Sequence, residues 1–291
     1  MLFRSQGLGT SIINSTLDTK SLVYRSSVSG TSTINSNIVL TFPVQVLGGP
    51  SSGIGVVLGY SNLSSTATIT VKGFTGTPPT TGTGVGAVAS TPGTLVFSST
   101  AIVATPYQNQ GFSNWSTDPF YPVTASSTTY SERKVYSRIW VPIPSSVSCT
   151  SILIEIRDTD SLNKYIEFSR LIVGNYWSPK YNTGLGMSSG TTDLSSNIRT
   201  EAGDLVSSNE VKFNTLSFDL KWMTSTDRAI FNKIVRTLGT RKALFVSLFP
   251  DNSVDWDKEQ LYQLYGKFSR LAGIDHQIFE MFGSQVEIEE I

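Results

Sequence analysis

The feature that most restricts what this chain can fold into is a succession of short segments rich in Val, Ile, Thr and Tyr, parted by Gly, Pro, Asn and Ser, that occupies the first 175 positions. Candidate strands are 37–42, 54–60, 67–72, 94–103, 135–141, 151–157 and 165–173, and strands at that spacing predict an all-β sandwich or jelly roll. Within 151–157, Ile152, Ile154 and Ile156 alternate with Ser151, Leu153 and Glu155. One face is strongly apolar and the other only partly polar, as in a strand of two packed sheets. The stretch 75–93, with GTPPTTGTGVGAVASTPG in it, has no periodicity and predicts an exposed loop or irregular hairpin.

Beyond LIVGNYWSPKYNTGLG (171–186) the pattern alters. Ser178-Pro179 blocks further strand or helix, because proline lacks an N–H and restricts the residue before it. Tyr176, Trp177 and Pro179 are therefore expected at a domain junction, the two aromatics packing the halves together. A polar stretch (182–208) precedes a strand at 211–222, where Val211 and Phe213 fall out of phase with Leu216, Phe218 and Leu220. A bulge or sharp bend at Asn214-Thr215 would produce that slip. The chain's one convincing helix follows at about 226–238: Thr224 or Ser225 as cap, Asp227 in the first turn, Ile230, Phe231, Ile234, Val235 and Leu238 on one face, Gly239 as stop. Strands at 243–249, 260–271 and 277–289 complete the reading, the last two paired across 272–276. There is no internal repeat.

Length alone, 291 residues, admits one large all-β domain or two domains. Charge separates the halves: only Arg4, Asp18, Lys20, Arg25, Lys72 and Asp118 are charged up to Ser131, six of the chain's 44 charged residues. The expected organisation is mainly β, a jelly-roll β-sandwich at 1–175 followed by a smaller β-rich domain with the helix at 176–291. Zero net charge and a first half with no basic patch give nucleic-acid binding no support. One cysteine, Cys149, excludes an internal disulfide and any multi-thiolate metal site, and one histidine, His276, excludes sites that need two imidazoles. The opening residues lack a charged segment followed by an apolar one, and no run nears the roughly 18 apolar residues of a membrane span, so a soluble, unprocessed product is expected.

Several short motifs carry a family resemblance. SLVYRSS (21–27), LGYSNLSSTAT (58–68), RIW (138–140) and YIEFSRLIVG (165–174), in that order, resemble tailed-bacteriophage virion proteins whose discoidin-like, galactose-binding jelly roll opens with a Trp/Tyr-Arg-Ser motif. YWSPKYN (176–182), SLFP (247–250), YGKFS (265–269) and VEIEEI (286–291) are similar to the distal-tail or baseplate ring domain of the same proteins. The resemblance implies a non-enzymatic structural protein of the virion, made in the host cytoplasm. It would form a homo-oligomeric ring at the tail tip, with other tail proteins as partners and one domain projecting from the ring. The alternative it carries is a glycan-binding module for host adhesion.

Candidate sites are few. YQNQGFSNWSTDPFY (107–121) interleaves aromatics with amides and an acid. Sugars are bound by such mixtures, the aromatic face against C–H groups and the amides and carboxylate on hydroxyls. Tyr107, Asn109, Asn114, Trp115, Asp118 and Tyr121 are the candidate glycan ligands; the competing reading is that these aromatics fold back on the sandwich or meet a neighbouring subunit. Arg25 is a candidate ligand arginine or a pin for the sandwich. Asp158 and Asp160 have the spacing of a calcium loop but also of a solvated turn. Glu287 and Glu289 lie on one strand face and Glu290 on the other, which suits solvated side chains better than an acid/base pair. His276, beside Asp275, falls in the turn GIDHQ, and no G-x-S-x-G elbow accompanies it. GLGMSSG (184–190) lacks the lysine of a phosphate loop. No catalytic residue, metal or cofactor is expected.

Overall fold

The computed structural model describes residues 2–5, 23–26, 28–48, 52–64, 66–76, 93–103, 136–143, 145–161, 163–184, 186–195, 197–199, 201–207, 212–250, 259, 261–271, 273–278 and 280–291. The chain is mainly β, with antiparallel sheets, and divides into two compact units, Met1–Trp177 and Ser178–Ile291. Among the described residues there is no helix long and apolar enough to cross a membrane.

The first unit is a sandwich. One sheet has the order β1 (Leu2–Ser5), β3 (Ile34–Leu47), β9 (Val147–Asp158), β5 (Thr68–Thr75), β6 (Thr94–Ser98), with β7 (Ile102–Val103) also on β5. The other has β11 (Arg170–Trp177), β4 (Ser52–Gly59) and β8 (Tyr136–Pro142). The chain changes sheet from β3 to β4, β4 to β5, β8 to β9 and β9 to β11, which is jelly-roll winding. A two-residue pair, β2 (Tyr24–Arg25) with β10 (Glu167–Phe168), stands beside them. Between the sheets, Ile152, Ile154 and Ile156 of β9 meet Ile54, Val56 and Leu58 of β4 in one buried cluster. The part-polar look of β9's other face has a cause as well: Leu153 there is buried against Val39 and Phe74.

Strand β3 is interrupted. It pairs with β9 from Ile34↔Asp158 to Thr41↔Ser151, then resumes at Gln45↔Cys149, so the segment Phe42, Pro43, Val44 bulges. Proline suits such a site because it has no N–H to give to a ladder. The slip changes phase: Ile34, Ser36, Ile38 and Leu40 are buried on even numbers, whereas Leu47 is buried on an odd one. Cys149, also in the core, donates its thiol to the carbonyls of Ser151 (2.9 Å) and Phe74 (3.3 Å), and burial pushes that thiol's pKa up.

The second unit is a sheet in the order β12 (Ser188–Asp193), β15 (Lys212–Met223), β19 (Met281–Glu290), β17 (Gln263–Phe268), β16 (Leu244–Ser247), with β18 (Asp275–Ile278) also on β19. The register sets Leu216 opposite Ile288 and Phe218 opposite Val286, all four buried. Helix α1 (Ser225–Leu238) packs on β15 and β19 through buried Phe231. Thr224 is its cap: its hydroxyl accepts from the Asp227 amide (3.2 Å) while its own backbone N–H donates to the Asp227 carboxylate (3.4 Å), a reciprocal box. Gly239 (φ 55) ends it with its N–H on the Val235 carbonyl.

Four sequence expectations are corrected. The polar stretch after Asn182 contains β12 and a separate hairpin, β13 (Asn197–Arg199) with β14 (Leu205–Ser207). Strand β15 does not bulge at Asn214-Thr215, because β12 pairs with it without interruption from Lys212 to Ser217; its irregularity lies between Leu220 and Met223. The last strand begins later, since β18 and β19 turn tightly at Glu280 (φ 59). In α1 the apolar stripe is narrower than expected, and Ile230 is exposed.

Two strand glycines test the packing in opposite senses. A Cβ on Gly266 of β17 would collide with the backbone oxygen of Glu289, which cannot yield, whereas one on Gly174 of β11 meets nothing within 4 Å. Gly266→Ala is expected to lower unfolding free energy by about 2–3 kcal/mol. Gly174→Ala should leave it within about 0.5 kcal/mol or raise it slightly, as urea unfolding would measure.

Candidate functional site

The proposed glycan ligands Tyr107, Asn109, Asn114, Trp115, Asp118 and Tyr121 lie outside the described residues. Arg25, Asp158, Asp160, Asp275, His276, Glu287, Glu289 and Glu290 fall among the described residues. Arg25 is paired across β2 and β10 with Glu167, its Nε donating to the carboxylate at 2.6 Å while the guanidinium covers the Tyr165 ring at 4.5 Å. The hydrogen bond to Glu167, then that carboxylate's charge, raises the Arg25 pKa. Arg25 thus clasps the short strand pair, in which Tyr24 packs at a tilt against Phe168 (4.9 Å) and is bonded to Ser36 (3.1 Å).

Asp158 is buried and turned inward. Its carboxylate accepts from the Ser64 hydroxyl (2.5 Å), the Ser64 amide (2.9 Å) and the Asp160 amide (3.1 Å), so it ties the loop after β4 to the end of β9. Among the described residues there is no group of three or more His, Cys, Asp or Glu arranged to hold a metal. His276 is exposed on β18, its ring stacked at 4.7 Å on Phe282, which also lies under the Arg228 guanidinium at 4.3 Å. Glu287 approaches Arg270 at 3.6 Å, and Glu290 accepts from the Asn214 amide at 3.0 Å. Gly184 donates to the Asp219 carbonyl, and Ser188–Gly190 belong to β12.

At the expected junction, β11 does not end at Val173. It continues through Gly174 to Tyr176 and Trp177, which pair with Gly53 and Ser52 of β4. Gly53 has no side chain, so the Tyr176 ring lies close over it and meets Trp140 of β8 edge-on at 5.3 Å. Tyr176 is therefore packed within the first unit. Pro179 follows just beyond that unit, and the next residue, Lys180, gives its amide to Asp227 at the helix cap (3.4 Å).

Two features have no counterpart in the sequence reading. The first is a cleft of about 310 Å³ between β3 and β11. Phe42 and Pro43 of the β3 bulge and Gln45 just after it form one wall and Val173, Gly174 and Asn175 of β11 the other, over a floor of Leu47, Ile54 and Ile152. The second is the β13–β14 hairpin, which pairs with no other strand among the described residues. Arg199 closes its tip by donating to the Gly203 carbonyl (2.7 Å), while Ile198 and Leu205 are 68% and 59% exposed. The hairpin leaves β12 through a turn in which Asp193 accepts from the Ser195 amide (2.8 Å).

Two measurements probe these groups. Asp158→Ala leaves three donors without their acceptor and is expected to cost about 2–4 kcal/mol in unfolding experiments, Asp158→Asn less. The Asp193 carboxyl is held below the usual aspartate range, chiefly by Ser195 and to a lesser extent by Lys212. The stability it contributes is present above the ordinary aspartate pKa and fades as pH falls through the lowered one. Ser195→Pro, which removes the amide donor, should move the Asp193 pKa upward, as carboxyl-carbon NMR titration would show.

No family model matches this chain, and no curated protein or solved structure matches it.

Proposed function

We propose that the chain is a structural component of a tailed-phage tail tip or baseplate, acting through contacts with further copies of itself and with neighbouring tail proteins. The sequence resemblance supports this reading, and the observation that carries it is the β13–β14 hairpin. A two-stranded hairpin alone is marginal in water. One that turns Ile198 and Leu205 to solvent gains about 1.5–3 kcal/mol for each side chain that a neighbour buries. Trp222, 49% exposed on β15, adds a large amphipathic group to the same unit's surface. The unit's sheet ends on β12, whose sequence SSGTTD is short and polar. Repetition of one such contact around an axis closes a ring. In this reading the charge-poor sandwich is the module that the ring carries.

Light scattering on the eluted protein should give a defined homo-oligomer. Ile198→Asp combined with Leu205→Asp should yield a monomer with an unchanged melting temperature. A wild-type chain that is monomeric at every concentration tested would sink the proposal.

A further inference from the structure

We infer that the cleft between β3 and β11 is a peptide-acceptor site, which takes an extended segment of another polypeptide as an added strand on β11 and one large apolar side chain of that segment as its anchor.

Three observations lead to this occupant. The first is the edge. Strand β11 ends the three-stranded sheet and pairs only with β4, so its other side, along Leu171–Asn175, has no strand against it among the described residues. On the opposite sheet β1 pairs with β3 only as far as Thr41, and among the described residues β3 beyond the bulge has β9 on one side alone. The chain also leaves β1 at Ser5 beside Ile38, at the end away from the cleft. The second is the side-chain geometry. Along a strand, alternate side chains point to opposite faces. A strand added at about 4.8 Å from β11 would therefore send every second side chain between the sheets, beside Val173 and Asn175. A Cβ at Gly174 would meet nothing, so the other face does not obstruct the approach.

The third observation is the chemistry of the walls, which selects among ligands. The lining holds no charged residue; its polar side chains are the exposed amides of Gln45 and Asn175. An ionic ligand would find no counter-charge. A sugar would bring several hydroxyls against Leu47, Ile54, Ile152 and Val173, and two amides at the rim cannot satisfy them, so most would be buried unpaired. A peptide divides as the cleft does. Its backbone amide is a neutral donor and acceptor for Gln45, Asn175 and the β11 edge, and its apolar side chain fills a volume of about 310 Å³, room for one aromatic or large aliphatic group.

Hydrogen–deuterium exchange on the full chain tests this, with the capped peptide acetyl-Ser-Thr-Thr-Phe-Thr-Thr-Ser-amide as probe, the same peptide with Phe replaced by Ser as control, and D-galactose as the sugar arm. In the free protein the outward-facing amides of 171–175 should exchange fast. The Phe peptide at about 1 mM should slow them, and the Ser peptide and galactose should not. Asn175→Ala should weaken the effect about five- to tenfold through one lost hydrogen bond. Asn175→Trp, which fills the cleft from its exposed rim, should abolish it with no change in melting temperature. Slow exchange in the free chain, equal protection by the Ser peptide, protection by galactose alone, or full binding by Asn175→Trp would each overturn the inference.

Discussion

Strand β9 is the element on which the first unit depends. It is hydrogen-bonded on both sides, to β3 and to β5, and buried on both faces, with Ile152, Ile154 and Ile156 inward and Leu153 outward. An apolar strand held this way cannot shift register by one residue without turning its isoleucines to the other face. Its two neighbours are therefore fixed with it, and through the core β4, β8 and β11 are fixed as well. The Asp158 carboxylate then closes the end of β9 onto the loop that follows β4. Clasp, loop and cleft all stand on this one strand's placement.

Much of the fold was legible because burial on one face imprints a period of two, and the cluster of isoleucines in β9 carried it plainly. The helix was legible for a different reason: its cap, first-turn acid and terminal glycine are local and act within a few residues of themselves. What the sequence hid was of two kinds. Strand β12 is an edge strand of small polar residues with no buried face to imprint a pattern. Phe213 suggested a bulge in β15, yet it occupies the opposite face from Leu216 in an unbroken ladder, partly buried there.

The site was less legible than the fold. Arg25, Asp158 and His276 drew attention as chemical groups, and each is occupied by an internal partner. The cleft drew none, because its residues come from β3, β4, β9 and β11 and are chemically plain. Only the tertiary arrangement makes them a surface. The two units accordingly offer different kinds of contact: in the second, aliphatic side chains that stand out in water, and in the first, an apolar recess beside a strand edge that pairs with no strand among the described residues.

The bulge at Phe42–Val44 gives β3 something like a reading frame. Before it, even-numbered residues face the core; after it, odd-numbered ones do, and β9 changes frame at the same place, from Ile152 to Cys149. Val44 and Val46 stand in solvent, 69% and 62% exposed, because they fall on the outward frame. Single-residue insertions or deletions within the bulge would invert every side chain from Gln45 to Leu47, whereas changes of two residues would preserve their sense. Length variation at this point is thus quantised, and the smallest change the cleft can absorb is a pair of residues.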